Sequence, residues 1–401
     1  MNKPLTIFSL EQALALPFAT QRMVHMGWRV IRIETPAEEG GGNAGDPNRY
    51  IGADLGYHDL HSYYIAPNVG KEAITINLKK KEGQELLLKL IKELKADVFM
   101  CNTLPKRYKQ LGIDYETLKK ANPDIIWCSI SAMGPAYPEA AGYDPALQAL
   151  MGYTYLTGET DGKPVPCGIP IIDLKAGDEA FTQVVLAMLE KHSTGKGKEI
   201  HVSMAQCAGS WLITALPQLN FVNNDSELFK RSGNEHRSFI PCNVYPTKDG
   251  MVYLAIGNDI QWTKFTSLKR FEKLSSESRK TNAGRMKEKD NIYKEIESIS
   301  SSFTTNEFIT VCKSINLSVA PVNDIKNVAS LNFISEEMIK SIMPDGKSVS
   351  LFPPASDTFF LKENNYTLPC APRLGSDNQK IYNQAGISSE EIKKLTQNNI
   401  I

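Results

Sequence analysis

Asp173 stands between the apolar run Gly168–Ile172 and a strongly helical segment in GIPIIDLKAGDEAF. A carboxylate so placed lies near a helix N-terminus, where unpaired N–H groups and the helix dipole favour its charged form. An ionised, immobile carboxylate is the group that nucleophilic attack on an activated acyl carbon requires. Helix physics alone favours a plainer reading of Asp173, an N-cap, because aspartate is common there. Asp178, past Gly177, is the competing carboxylate. Tyr143 and Asp144 precede another helix in GYDPALQALMG. Asp144 is read either as orienting the site, or raising a neighbouring acid's pKa by like-charge repulsion, or as an N-cap with Pro145 at the first helical position. Tyrosine titrates near 10 when unperturbed and is a poor base at neutral pH. Tyr143 is therefore read as a hydrogen-bond donor to a reacting group, or as a half-buried aromatic with a satisfied hydroxyl. Lys106, Arg107 and Lys109 form a local basic cluster suited to phosphates, although a charge run is commonly just a solvated face.

The surrounding segments predict how these residues are held. RVIRIE (Arg29–Glu34), AITINL (Ala73–Leu78), ADVFMCN (Ala96–Asn102) and IIWCSISAMG (Ile125–Gly134) read as strands. KEGQELLLKLIKEL, with Leu87, Leu90, Ile91 and Leu94 at helical spacing, and the short DYETLKKANP separate them as helices. This alternation predicts an α/β fold with a mostly parallel sheet covered on both faces. In such sheets ligands bind beyond the carboxyl ends of the strands. Ala180–His192 is a strong helix stopped by STGKGK, and EIHVSMAQCAGSWLITAL enters a further strand and helix. Residues 1–216 are read as the N-terminal part of a large domain and the polar stretch 217–238 as a linker. Residues 239–320, with a hairpin around Lys248-Asp249-Gly250, are read as a smaller α+β domain. Residues 321–401, together with the VAPVND segment (Val319–Asp324) that overlaps their start, are expected to return to the large domain.

Composition narrows the classes. The 401 residues carry 45 Lys plus Arg against 45 Asp plus Glu, so no global field favours nucleic acid or an anionic membrane. Seven widely spaced cysteines give no CxxC and no metal-ligand spacing, which predicts reduced thiols, no bound metal and a cytoplasmic location. No apolar run approaches the length of a membrane span, and the N-terminal residues show no signal-peptide pattern. GGGNAG (Gly40–Gly45) spells G-x-G-x-x-G, but Asp46-Pro47-Asn48 follows with turn chemistry instead of a helix, which argues against a nicotinamide dehydrogenase.

An ordered series of motifs resembles the class III CoA-transferases, the family that includes formyl-CoA, carnitine, phenyllactate and benzylsuccinate CoA-transferases and α-methylacyl-CoA racemases. The series is ALPFATQRMVHMGWRVIRIETP, GDPNRY, NVGKEAITINLKKKEG, the segment from DVFMCN to SAMG, and GIPIIDLKAGDEAFTQVVLAMLEKHSTGKGKEIHVSM. In the last, Asp173 and Gly177 match the family's catalytic D-x-x-x-G. The resemblance implies a Rossmann-like large domain, a smaller domain, and two chains threaded like linked rings. It implies an aspartyl anhydride and an aspartyl-CoA thioester on Asp173, with no resident metal or redox cofactor. It places Asp144 beside the nucleophile. It implies CoA contacts at Leu14, Ala15, Ile76, Asn102, Thr103 and Met204, with Lys106, Arg107 and Lys109 for the phosphates.

Departures from the pattern shape the expected substrate. Ile172 stands where the family has glycine, and A-L-P replaces A-G-P, so Leu16 is expected to narrow the approach to the backbone. Leu14 stands where formyl-CoA transferases have glutamine, and their glycine-rich flap is missing. These changes point away from oxalate and formate towards succinyl-CoA and a bulkier benzylsuccinate- or phenyllactate-like acid. SGNEHRSF (Ser232–Phe239) is a candidate lid whose His236 and Arg237 would meet a second carboxylate, with a surface linker as the plainer reading. Tyr143 replaces the histidine of the racemases, which makes racemisation the weaker alternative. A homodimer and a CoA-binding subunit of a hetero-oligomer both remain open.

Overall fold

The computed structural model describes residues 4–37, 43–223 and 226–401. Six strands form one sheet: β1 (Thr6–Leu10), β2 (Arg29–Glu34), β3 (Glu72–Thr75), β4 (Val98–Cys101), β5 (Ile126–Ser131) and β6 (Glu199–Ser203). Their spatial order is β3-β2-β1-β4-β5-β6 and every pairing is parallel. The expected Rossmann-like parallel sheet is therefore present. β1, which the sequence pattern does not single out, is a TIFSL run whose β-branched and aromatic residues are buried on both faces. The chain steps outward from β1 to β2 and β3, then crosses back to lay β4 on the other side of β1. Loops leaving the carboxyl ends of β1 and β4 diverge there and open a crevice.

Helices cover both faces. Leu86, Leu87, Leu90 and Ile91 of α2 (Lys81–Glu93) form a buried stripe on a core shared with Phe8, Phe99 and Trp127. The Trp127 indole is fully buried and donates to the Ile113 carbonyl at 2.7 Å, so its one polar atom is satisfied. Two other helices matter for the site: α1 (Ala15–His25) and α3 (Asp144–Leu150). The long α4 runs Ile171–Thr194, beginning well before the expected Ala180, and Gly195 in the left-handed region ends it as STGKGK predicts. β6 then leads directly into α5 (Met204–Trp211), capped by the Ser203 hydroxyl on the Gln206 amide.

Chain contacts divide the molecule into two compact units, 1–151 with 168–213 and 332–401, and 152–167 with 214–331. In the second, β7 (Cys242–Pro246) and β8 (Met251–Ala255) form the hairpin around residues 247–250. Ser318–Pro321 pairs antiparallel with β8, so VAPVND begins in this small sheet and not, as expected, in the returning tail. Trp262, Phe265, Phe271, Phe303 and Phe308 fill its separate core. The C-terminal segment of the first unit covers the open edge of β3. Asp377 and Asn378 side chains accept the Ala73 and Thr75 amides, both at 2.9 Å.

No helix among the described residues is long and apolar enough to cross a membrane. Of GGGNAG, Gly40–Gly42 lie outside the described residues; Asn43–Asp46 are not helical and lead into the 3-10 turn Pro47–Tyr50.

Candidate active site

Two adjoining cavities occupy the crevice at the carboxyl ends of β1 and β4. One, of about 240 Å³, is lined by Ala15, Asn102, Thr103, Tyr143, Asp173 and Met204 among others. The second, of about 220 Å³, shares Gln12, Asn102, Thr103 and Leu104 with it and extends to Ile76 and Arg107. The structure thus brings together Asp173, Tyr143, Ala15, Ile76, Asn102, Thr103, Met204 and Arg107. Leu14 lines neither cavity and sits at the N-cap of α1. Lys106 is turned to Glu139 in an exposed ion pair, and Lys109 is exposed outside both cavities. Leu16 is fully buried and lines neither cavity, so it does not narrow them as expected.

Asp173 is the third residue of α4, with Pro170 at the N-cap, so the N-cap reading of Asp173 does not hold. The cap comes instead from Asp144, 3% exposed, whose Oδ2 accepts the Ile172 amide at 2.7 Å and the Asp173 amide at 3.0 Å. Asp144 is itself the first residue of α3, following the N-cap Tyr143, so it caps a helix that is not its own. The Gln148 side-chain amide, one turn along α3, donates to Oδ1.

This geometry reverses one expectation. The Ile172 and Asp173 amides of the first turn of α4 are committed to Asp144, and among the described residues no donor reaches the Asp173 carboxyl. Burial, and secondarily the Asp144 charge, push the Asp173 pKa up to about 7. The helix N-terminus therefore does not hold Asp173 in its charged form, because another carboxylate occupies that position.

Gly177 explains the spacing of the D-x-x-x-G motif. A Cβ there would lie 2.6 Å from the Ala15 carbonyl oxygen and 2.9 Å from Phe18 Cδ1. Glycine lets α4 cross α1 closely, which sets Asp173, one turn earlier, beside the start of α1. No acceptor is found among the described residues for the Leu14, Ala15 or Leu16 amides, and α1 has no acidic residue in its first turn. Asp178 pairs with Arg22 on the outer side of the same helices and lines neither cavity.

Tyr143 is 76% exposed at the mouth of the first cavity, so the half-buried reading is replaced by an open one. In the second unit the Arg237 guanidinium donates to the Lys230 and Leu156 carbonyls, and the His236 ring accepts the Ser238 amide at 3.1 Å.

Sequence reasoning gave no role to the charged residues of RIE, GDPNR and NVGK, which converge under the β1–α1 loop. Arg32, Glu34, Asp46, Arg49, Lys71 and Glu11 are all buried. Arg32 reaches Asp46 at 3.0 Å and Glu11 at 3.3 Å, and Lys71 reaches Glu11 at 2.8 Å. Burial opposes the Glu34 charge, yet Arg32 and Arg49 hold its pKa below the usual carboxylate value. Removing one member of such a network strands its partners, at a cost of about 3–5 kcal/mol. The signal was five charged residues, Arg32, Glu34, Asp46, Arg49 and Lys71, in otherwise apolar or turn segments.

A parallel sheet of this order, with a partly buried and unpartnered carboxyl at its switch-point crevice, defines an α/β enzyme built to act on a ligand laid across the strand ends. The sequence model of CoA-transferase family III matches residues 4–378, and the chain belongs to that family. It is 31% identical over 328 residues to the succinate–glutarate CoA-transferase of Agrobacterium fabrum, covering 80% of each protein. It is 31% identical over 329 residues to human succinyl-CoA:glutarate CoA-transferase, covering 80% of this chain and 72% of the human protein. The crystal structure of a CAIB/BAIF family protein from Brucella suis superimposes with a TM-score of 0.80 at 28% identity, over 95% of this chain and 98% of that one. The protein is thus a family III CoA-transferase, acting on CoA thioesters and carboxylates.

Proposed function

We propose that the enzyme moves coenzyme A from succinyl-CoA or a similar donor to a dicarboxylic acid of succinate or glutarate size, with Asp173 as nucleophile. The observation that carries this is the Asp173 carboxyl: it faces the cavity without a hydrogen-bond donor, while Asp144 holds its backbone. The substrate class rests on the activities named for the relatives. The bulkier benzylsuccinate- or phenyllactate-like acid loses one of its supports, because Leu16 does not face the cavity.

The ionised Asp173 attacks the thioester carbonyl, the C–S bond breaks, and CoA thiolate leaves a mixed anhydride. The thiolate attacks the Asp173 carbonyl carbon, the C–O bond breaks, and the donor acid departs from an aspartyl-CoA thioester. The acceptor carboxylate attacks that thioester and expels the thiolate. The thiolate then takes the new acyl group and frees Asp173. No net proton is exchanged. The Ala15 amide supplies a donor for oxyanions formed in these steps, and the Tyr143 hydroxyl donates to a substrate oxygen. Among the described residues, Asp173 and Tyr143 are the titratable groups lining this cavity, and no histidine lines it for racemisation. Ile76, Asn102, Thr103 and Met204 border the pantetheine arm, and Arg107 in the adjoining cavity receives phosphate charge.

Two copies would thread through each other, covering exposed apolar side chains such as Trp211 and Ile213. Seven cysteines without a disulfide fit a reducing, cytoplasmic setting. The test is exchange by the purified chain alone, using succinyl-CoA with glutarate, mesaconate, benzylsuccinate and phenyllactate as acceptors. Exchange by wild type and its loss in Asp173→Ala support the reading; full exchange by the variant refutes the nucleophile. No exchange without a second chain would show that this is a subunit of a hetero-oligomer.

A further inference from the structure

The β1–α1 loop carries backbone strain inside the cavity wall. Ala13 adopts φ +60°, a left-handed conformation that a residue with a Cβ rarely takes, and it lines the cavity that holds Asp173. Side chains from two distant segments grip this loop. The Asp46 carboxylate accepts the Ala13 amide at 3.1 Å, and the Asn48 side-chain amide donates to the Ala13 carbonyl at 2.8 Å. One residue earlier, Asn102 donates to the Gln12 carbonyl at 2.8 Å and accepts the Gln12 amide at 3.1 Å. Both amides and both carbonyls of Gln12 and Ala13 are therefore held by side chains. The next residues, Leu14 to Leu16, are those whose amides have no acceptor among the described residues.

Each grip is itself anchored. Asp46 is 1% exposed and is fixed by Arg32 at 3.0 Å; its Oδ1 also accepts the Asn48 amide at 3.0 Å. Asn48 is buried in the 3-10 turn Pro47–Tyr50, and its side-chain amide meets Ala13. A residue held in a sparsely populated backbone region persists only where its surroundings over-determine it, and such strain gathers at functional sites.

We propose that Asn48, with Asp46 and Asn102, is a positioning residue that holds Ala13 left-handed and so aims the amide of Ala15, which lines the same cavity, at the reacting carbonyl beside Asp173. This rests on the reading of Asp173 as the nucleophile. Asn48 touches no substrate. Its role is to keep the donor where charge develops, so its loss lowers kcat while leaving binding of the distant parts of CoA, and hence KM, nearly unchanged.

The test is a double-mutant cycle between positions 48 and 13, with the acyl-CoA and acid that wild type exchanges fastest. With alanine at position 13, Asn48→Ala is expected to lower kcat about tenfold, the equivalent of ~1.4 kcal/mol. In an Ala13→Gly background, where the left-handed conformation needs no clamp, the same change is expected to cost less than about threefold. An equal loss in both backgrounds overturns the proposal, because a merely structural Asn48 would not respond to the residue at 13. Should Asn48→Ala not fold, Ala13→Val, a β-branched residue forced into the same conformation, must lower kcat; full activity there overturns the proposal equally. Amide hydrogen exchange over residues 11–16 reads the clamp without substrate. Asn48→Ala must speed it about tenfold while β1 and α4 stay protected, and unchanged exchange refutes the clamp. A wild-type enzyme that turns over no acyl-CoA refutes the function; an intact loop in Asn48→Ala refutes the clamp alone.

Discussion

Replacing Asp173 by asparagine should stabilise the protein at neutral and alkaline pH and do little in acid. Burial, and secondarily Asp144, raise the Asp173 pKa to about 7. In the unfolded chain an aspartate titrates near 3.9. The folded state therefore binds this proton more tightly. The stability it contributes is complete below about pH 4 and is lost as pH rises through about 7. Each pKa unit is worth about 1.36 kcal/mol, which caps the effect at about 4 kcal/mol. The side chain opens onto a cavity, so solvent screens part of this and about 2 kcal/mol is expected. Asparagine keeps the shape and does not titrate. Urea unfolding of both proteins at one fixed concentration, followed by tryptophan fluorescence, gives the comparison. The curves should nearly coincide near pH 4, and Asp173→Asn should be more stable by about 2 kcal/mol near pH 8. A stability difference that is independent of pH, or that grows towards acid, would refute the assignment of an uncompensated, partly buried carboxyl.

Three further outcomes follow from the same geometry. Asp144→Asn keeps an oxygen for the Ile172 and Asp173 amides but removes the like charge, so the acid limb of the kcat/KM profile should move to lower pH; a limb that stays near 7 contradicts the coupling. Gly177→Ala drives a Cβ to 2.6 Å from the Ala15 carbonyl oxygen, which should cost about 1–3 kcal/mol in unfolding experiments and lower kcat by about a hundredfold as α1 is displaced. Asp178→Ala removes a partly exposed ion pair with Arg22 and should cost less than about 1 kcal/mol, with exchange rates unchanged in steady-state assays.

The parallel sheet was legible because four of its strands are apolar, β-branched runs separated by helices with clear periodicity. β1 was missed because five residues beside polar neighbours give too little pattern to measure. Asp173 was legible as a position and misread as an environment. Its pKa is raised first by burial and then by Asp144, which lies 29 residues earlier in sequence and contacts it only through the folded turn. The same non-locality hid the GDPNR segment, whose Asp46 and Asn48 act on Ala13 across 33 and 35 residues. Ser318–Pro321 joined the small sheet because the choice between two domains depends on a partner strand, β8, that local pattern does not name. Leu16 was assigned to the cavity wall from its place in a motif, whereas the phase of α1 turns it into the core.

Mass spectrometry after mixing the enzyme with succinyl-CoA and trapping with hydroxylamine tests the central claim most directly. The account predicts a hydroxamate on Asp173, formed only when the acyl-CoA is present. A label on Asp178, or no label in an enzyme that is exchanging CoA at full rate, would contradict it.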